Sequence, residues 1–199
     1  METTLEVRWF IEGIPPVEIQ NWFKNKCPGK LLGQPEIRED RYFCGDSDLI
    51  EQYIKIPTSY SSEEINLKLR AENLELKLRQ KQLGIAKFAS WSGKIEQWCK
   101  LSQRELKQLL ISDPKEQYWI KVIKEREQKI EQNVKSELTR LSVDRNWWSV
   151  AFEMSQDNSD RNSPHFRQIV DHCALSALDT LELSSQNSYS YSHWIKKIS

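Results

Sequence analysis

No run of this 199-residue sequence stays apolar for the ~20 residues that a membrane-spanning helix requires, so a helical span is excluded. Net charge is missing too: 29 Lys and Arg balance 29 Asp and Glu. Without a global surplus the chain has no overall attraction for polyanions, and any anion site must come from local segregation of charge. Nucleic acid is therefore not expected as a partner. The four cysteines, Cys27, Cys44, Cys99 and Cys173, form no Cys-x-x-Cys pair, and His165, His172 and His193 are poorly spaced to complete a zinc motif with them. The opening Met1-Glu2-Thr3-Thr4 is not a basic segment leading into an apolar run, so no secretory leader is expected. A soluble protein of the reducing cytoplasm is the simplest placement. Hydrophobic residues are few, 38% with a mean hydropathy of −0.69. What the chain does have is aromatic bulk: eight Trp, six Tyr and six Phe, which supply burial that a disordered chain lacks. Its length suits one domain, spanning 1–199, with ample core.

The most informative stretch is Glu64 to Arg79. Ile65, Leu67 and Leu69 alternate with Asn66, Lys68 and Arg70; after a break at Ala71-Glu72-Asn73, Leu74, Leu76 and Leu78 alternate with Glu75, Lys77 and Arg79. A period of two places the leucines on one face of a β-hairpin and the charges on the other, whereas on a helix the same leucines scatter round the axis. Leu-Lys-Leu-Arg at 67–70 and again at 76–79 is the only internal echo.

The rest of the chain reads as further strands with a few helices. Leu5 to Ile11 is a strand with Glu6, Arg8, Phe10 and Glu12 on one face; Pro15-Pro16 then opens a short helix to about Lys26 with Ile19, Trp22 and Phe23 on its apolar side. Glu36 to Cys44 is a second strand, charged at Arg38, Asp40 and Arg41, and Leu49 to Ile56 a third of irregular register. Pro57 to Ser62 is a loop. A second hairpin joins Leu83–Ser90 to Lys94–Leu101 across Trp91-Ser92-Gly93, and Ser102 with Glu105 has the spacing of a capping box before a helix to Leu110. Lys115 to Glu131 fits a helix through Trp119, Val122, Ile123 and Ile130 or a strand through Val122, Lys124 and Arg126; composition favours helix. Ser136 to Met154 is a hairpin broken at Val143–Asn146. Gln156 to Ser163 is a polar loop, Pro164 opens a helix to about Leu178, and the aromatic tail from Ser188 to Ile195 is expected to pack down.

Charge at alternate strand positions has two explanations. An antiparallel sheet can solvate one face. Alternatively, a closed barrel has a polar interior, with its leucine faces turned outward under helices; barrels of about eight strands can hold a ligand inside. In the second arrangement Lys and Arg from several walls would bind a phosphate chain, and carboxylates among them would neutralise the bases or hold a divalent cation.

The order of these segments resembles that of the CYTH superfamily, the triphosphate tunnel metalloenzymes. The strand Leu5-Glu6-Val7-Arg8-Trp9-Phe10 stands where that family has its Glu-x-Glu-x-Lys signature. Arg41-Tyr42-Phe43, Leu67-Lys68-Leu69-Arg70, Leu74-Glu75-Leu76-Lys77, Val122-Ile123-Lys124-Glu125-Arg126, Glu137-Leu138-Thr139, Phe152-Glu153 and the tail Ser190–Ile195 resemble its later strands and its aromatic end. The resemblance implies an α+β fold, a closed antiparallel β-barrel of about eight strands with flanking helices. It turns 115–131 into a strand and points Lys68, Arg70, Glu75 and Lys77 inward. It further implies that Arg8, Lys68, Arg70, Lys77, Lys124 and Arg126 contact phosphates, that Glu6, Glu137 and Glu153 hold Mg²⁺ or Mn²⁺, and that the partner is a small phosphorylated substrate or polyphosphate. Glu75, Arg79, Glu96 and Lys100 are expected to pair with one another as lining. Trp147, Trp148 and Trp194 are expected to pack rather than stack on a base.

The sequence departs from the signature at two of its three positions. Arg8 replaces the second Glu and Phe10 replaces the Lys. Arg8 in that place is either a phosphate ligand or a fixed positive charge filling the metal site. Three functions follow: a metal-dependent phosphohydrolase acting on a triphosphate-containing substrate such as inorganic triphosphate or a nucleotide, a non-catalytic polyphosphate- or nucleotide-binding relative, or an interaction protein with an ordinary apolar core. Substrate and oligomeric state stay open.

Overall fold

Residues 2–56, 59–156, 164–177 and 181–199 are described by the computed structural model. Nine strands form one antiparallel sheet: β1 (Glu2–Glu12), β2 (Lys30–Leu31), β3 (Glu36–Phe43), β4 (Ile65–Arg70), β5 (Asn73–Phe88), β6 (Trp91–Lys100), β7 (Trp119–Glu131), β8 (Val134–Ser142) and β9 (Asn146–Gln156). Eight of them close into a ring in the order β1-β6-β5-β4-β3-β7-β8-β9, with β9 returning to β1. The short β2 pairs with Lys129 and Ile130, at the end of β7 that β3 does not reach.

Closure makes period-two alternation an inside–outside code. In β1 the residues Glu6, Arg8 and Phe10 point in, while Leu5, Val7 and Trp9 point out. Their outer surface is covered by α1 (Val17–Asn25) and α4 (Pro164–Leu175), which bury Ile19, Trp22 and Phe23, and Phe166, Ile169, Val170 and Cys173, against Trp9, Phe88, Trp91 and Phe152. A fully buried side chain of this size contributes roughly 1.5–3 kcal/mol. Gly93 permits the closest approach here: a Cβ on it would lie 2.5 Å from the Trp9 ring. On the opposite side of the ring, Ile65, Leu67 and Leu76 turn outward under α2 (Ser47–Glu51) and α3 (Gln103–Leu109). The leucines of the β4–β5 hairpin thus lie outside the ring and its charges inside, as the barrel arrangement requires. Ala71 and Glu72, at φ 44° and 63°, make its two-residue turn.

The last helix, α5 (Tyr191–Ile198), covers one end of the ring. Its Tyr191 stacks on Tyr42 at 4.9 Å and its Trp194 on Phe10 at 4.7 Å, both rings being inward residues of their strands. Ser190 caps the helix by accepting the His193 N–H. Ser192 donates to the Glu63 carbonyl at 2.7 Å, and His193 Nδ1 meets the Glu63 carboxylate at 3.0 Å, which fixes the helix to the chain just before β4.

Several expectations for local structure are corrected. The third strand, Leu49 to Ile56, is replaced by α2 and a single bridge at Ile54: Asp46 accepts the Leu49 N–H at 2.8 Å and starts a helix, so Ile50, Tyr53 and Ile54 reach the core at helical spacing. Residues 119–131 are strand β7, against their helical composition, because pairing with β3 on one side and β8 on the other outweighs intrinsic propensity. The second hairpin turns at Ala89-Ser90 rather than 91–93, and Trp91 belongs to β6. Leu83–Ser90 is not a separate strand. β5 runs through it with irregular pairing, and Gly84 at φ 88° takes the left-handed conformation within one of these irregular stretches. The capping box of Ser102 and Glu105 is present at the start of α3. Residues 57–58 of the first loop, 157–163 of the second and Leu178 at the expected end of α4 lie outside the described residues.

Candidate functional site

The inward faces of the strands enclose a cavity of about 300 Å³. Nine basic side chains line it: Arg8, Arg38, Lys68, Arg70, Lys77, Lys100, Lys124, Arg126 and Lys135. They come from seven of the eight ring strands, β9 alone giving none. Glu2, Glu6, Glu75, Glu137 and Glu153 share the wall. All nine residues singled out from the sequence, the six bases and the three glutamates, therefore line one space.

The cavity is graded along its axis. At the end covered by α5, Asp40 is fully buried and accepts from Lys124 Nζ at 2.9 Å and Arg38 Nη2 at 3.3 Å. Lys124, itself 2% exposed, also donates to the Tyr42 hydroxyl and lies 3.8 Å from the Tyr191 ring centroid. Midway, Arg8 holds Glu6 through Nε at 2.8 Å and Glu137 through Nη1 at 2.9 Å, with Ser149 Oγ at 3.3 Å. Its guanidinium rests 4.7 Å from the Tyr191 ring centroid. Lys77 lies 3.6 Å from Glu153 and 3.9 Å from Glu6, and Lys68 3.1 Å from Glu75. At the open end Arg70 meets Glu36 at 3.3 Å, and Lys100 meets Glu75 at 3.3 Å; Arg126 bridges Glu36 to Glu137. Glu75 thus pairs with Lys68 and Lys100, and Arg79 with Glu96 at 2.7 Å; of the four residues expected as ion-paired lining, Glu75, Arg79, Glu96 and Lys100, all are ion-paired but only Glu75 and Lys100 line the cavity.

Burial and charge act against each other in this wall. Burial lowers Lys124 to about 7, although Asp40 pulls it up, and lowers Lys68 to about 8 with the Lys124 charge adding to the effect. For Glu137, burial raises the pKa but Arg8 and Arg126 outweigh it and hold the carboxyl well below its ordinary range. Glu6 is lowered in the same way, its burial overcome by Arg8 and Lys77. Lys77 is raised because Glu153 and Glu6 outweigh the cost of burying it.

The three glutamates expected to hold Mg²⁺ or Mn²⁺ do not present themselves as a donor set. Glu137 Oε1 is taken by Arg8 and by the Thr139 hydroxyl at 2.8 Å, and Oε2 by Arg126 at 3.2 Å and Gln128 at 3.0 Å. The Arg8 guanidinium stands between Glu6 and Glu137, where an ion bridging them would have to be. Glu153 is opposite Glu6 in the β1–β9 register but turns to Lys77. Among the described residues no three Asp, Glu, His or Cys side chains are grouped to ligate one ion. The carboxylates as arranged do not fit a resident divalent cation.

No family model and no curated protein matches the sequence. Solved structures do resemble the fold. The Schizosaccharomyces pombe Pct1 RNA triphosphatase, solved in complex with the Spt5 CTD, is 11% identical over 90% of this chain and 86% of its own, with a TM-score of 0.46. A putative adenylate cyclase from Bacillus halodurans is 12% identical over 91% and 96%, TM-score 0.41. A conserved hypothetical protein from Pyrococcus furiosus is 9% identical over 96% and 98%, TM-score 0.42. Likeness this loose says nothing of chemistry, which has to come from the cavity itself.

Sequence reasoning passed over Arg38, Asp40, Tyr42, Lys135 and Tyr191, all of which line the cavity or anchor its closed end. For β3 the signal was available: Glu36, Arg38, Asp40 and Tyr42 alternate just as the β4–β5 hairpin does. Lys135 stands two residues before Glu137 on the same inward face. Nothing local marks Tyr191, which reaches the cavity only because α5 folds across the end of the ring. Trp148 and Trp194 are buried in packing contacts, at 4% and 0% exposure, and Trp147 packs edge-on to Trp194 at 5.8 Å.

Proposed function

We propose that the cavity binds the phosphate chain of a small triphosphate-containing molecule. The observation that carries this is the convergence of nine Lys and Arg side chains from seven strands on one enclosed space. Buried like charges repel unless anions lie between them, and the wall's own carboxylates are fewer than its bases. Arg8, Lys68, Arg70, Lys77, Lys124 and Arg126 are the proposed phosphate ligands. The pairs made at 3.6–3.9 Å, Lys77 with Glu153 and Glu6 and Lys68 with Asp40, are the contacts an incoming phosphate would replace. Arg8 and Arg126 already donate to Glu6, Glu36 and Glu137, so they add positive charge and the N–H groups those carboxylates leave over. The covered end at α5 makes the cavity blind, so the chain enters terminal phosphate first.

Binding is supported more strongly than hydrolysis. The two most buried glutamates of the wall are tied to cations, Glu6 to Arg8 and Glu137 to Arg8 and Arg126, which leaves them poorly placed to activate water or steer an attack. An interaction protein with an ordinary apolar core is disfavoured, because the two larger core clusters lie outside the ring and the inside, apart from the aromatic cluster under α5, is charged.

Thermal unfolding with a series of anions at fixed ionic strength tests this. The midpoint should rise in the order orthophosphate, pyrophosphate, triphosphate, because each added phosphate reaches further bases. Equal small shifts for all three and for sulfate would defeat the proposal. Phosphate release from inorganic triphosphate and nucleoside triphosphates, measured with and without Mg²⁺ or Mn²⁺, separates binder from hydrolase. Release no faster than that of Lys77→Ala and Glu153→Ala variants marks a binder.

A further inference from the structure

We infer that the Arg8 guanidinium is a built-in replacement for a divalent cation, so that this cavity takes a phosphate chain without a resident metal. Arg8 is 6% exposed and its Nε and Nη1 face two carboxylates on different strands, Glu6 of β1 and Glu137 of β8. One cation thereby joins two anions across β9, at 2.8 and 2.9 Å, while Ser149 Oγ of β9 takes a further contact at 3.3 Å. A divalent ion would make the same bridge with its own positive charge. The difference is that a guanidinium cannot dissociate, does not lose its charge with pH and spends its N–H groups as donors instead of accepting oxygens.

The surroundings hold it there. The Tyr191 ring lies under the guanidinium with its centroid 4.7 Å away, and that ring is fixed by stacking on Tyr42 at 4.9 Å. Phe10, two residues further along the same inward face, stacks on Trp194. The base at position 8 is therefore matched by an aromatic floor whose ring faces support a flat cation. Glu137 has no oxygen left over, since Thr139, Gln128 and Arg126 take what Arg8 does not. The consequence for ligand binding rests on the phosphate-chain proposal; the claim about metal does not.

The test is a Mn²⁺ titration of the protein alone, followed by electron paramagnetic resonance of free Mn²⁺. The wild-type chain should leave the free signal unchanged. Arg8→Glu, which removes the cation and adds a carboxylate beside Glu6 and Glu137, should take up one equivalent and gain thermal stability with it. Arg8→Gln is the variant to use if Arg8→Glu does not fold, and should show the same gain more weakly. A wild-type chain that takes up Mn²⁺ and loses it on Glu6→Gln or Glu137→Gln overturns the inference. So does a folded Arg8 variant, Glu or Gln, that takes up none. Triphosphate binding is then read separately in EDTA. Wild-type affinity should be unaffected by EDTA, and Arg8→Gln should weaken it by about tenfold or more, as expected for losing a charge-assisted contact. Triphosphate that binds under no condition would reject the proposed function and leave the metal result standing.

Discussion

The two ends of the cavity are built from the same residue types and behave differently. At the end under α5, Asp40 and Lys124 are 0% and 2% exposed, their charges meet at 2.9 Å, and the rings of Tyr42 and Tyr191 exclude water. At the open end Arg70, Lys100, Lys135 and Glu153 reach solvent, and Arg70 and Glu36, 39% and 36% exposed, meet at 3.3 Å. A charge pair deep in a low dielectric is costly to break, because the partner left behind is both buried and unpaired. A half-exposed pair is screened and worth little. The deep end is thus structural as well as available to ligand, while the rim can rearrange around whatever enters.

Breaking the deep end should have the largest effect. Asp40→Ala leaves Lys124 and Arg38 without their buried partner and should cost about 3–5 kcal/mol in denaturant unfolding. Trp194→Ala, which takes away the ring stacked on Phe10 and loosens α5, should cost a similar ~3–5 kcal/mol. At the rim, Arg70→Gln should change stability by less than ~1 kcal/mol in the same measurement. Equal losses at Asp40 and Arg70 would erase the distinction between the ends.

The next effect is on pH. Lys124 at about 7 and Lys68 at about 8 both lie below the ordinary 10.5. Between about pH 7 and 10 the unfolded chain therefore holds more protons on these two groups than the native one, so their contribution makes stability rise with pH across that window. Phosphate affinity should move the opposite way, falling as first Lys124 and then Lys68 lose charge. Lys124→Met should remove the lower part of both slopes. Parallel pH profiles for wild type and Lys124→Met would show that the deep lysine does not titrate there. On the acid side, Glu137 and Asp40 are held below the usual carboxylate range. The stability they supply is present above about pH 4 and is lost as the pH falls through their native values, which acid unfolding of Glu137→Gln against wild type would reveal.

Smallest is the effect on ligand at the rim. Lys135→Ala should weaken triphosphate by about threefold at most, and less at high salt, whereas Lys68→Ala or Lys77→Ala should weaken it by about tenfold or more. Calorimetric titration of the three variants gives the order directly.

Much of this architecture was legible in the residues because a closed ring turns alternation into position. Leu67, Leu69, Lys68 and Arg70 carry their inside and outside as a pattern, whereas the alternation in 122–126 did not by itself outweigh a composition that favours helix. What was not legible depends on contacts far apart in sequence. Leu49–Ile56 looks like a strand until Asp46 caps a helix, and the role of Tyr191 exists only once α5 reaches Tyr42 and Arg8. The glutamates were found by position along the chain. Their chemistry was not, since a carboxylate's availability depends on which cations the fold brings beside it: Arg8 reaches Glu137 from 129 residues away, and Arg126 from the facing strand of the β7–β8 hairpin.

The function proposed for this chain requires that the inward bases of the ring receive a phosphate chain. Isothermal titration of the wild-type protein with inorganic triphosphate, run once in EDTA and once with Mg²⁺, tests it most directly. The prediction is a single saturable site in EDTA, weakened by added salt and by Lys68→Ala or Lys77→Ala. No saturable heat in either buffer at about 1 mM ligand, or an affinity indifferent to both substitutions, would contradict it.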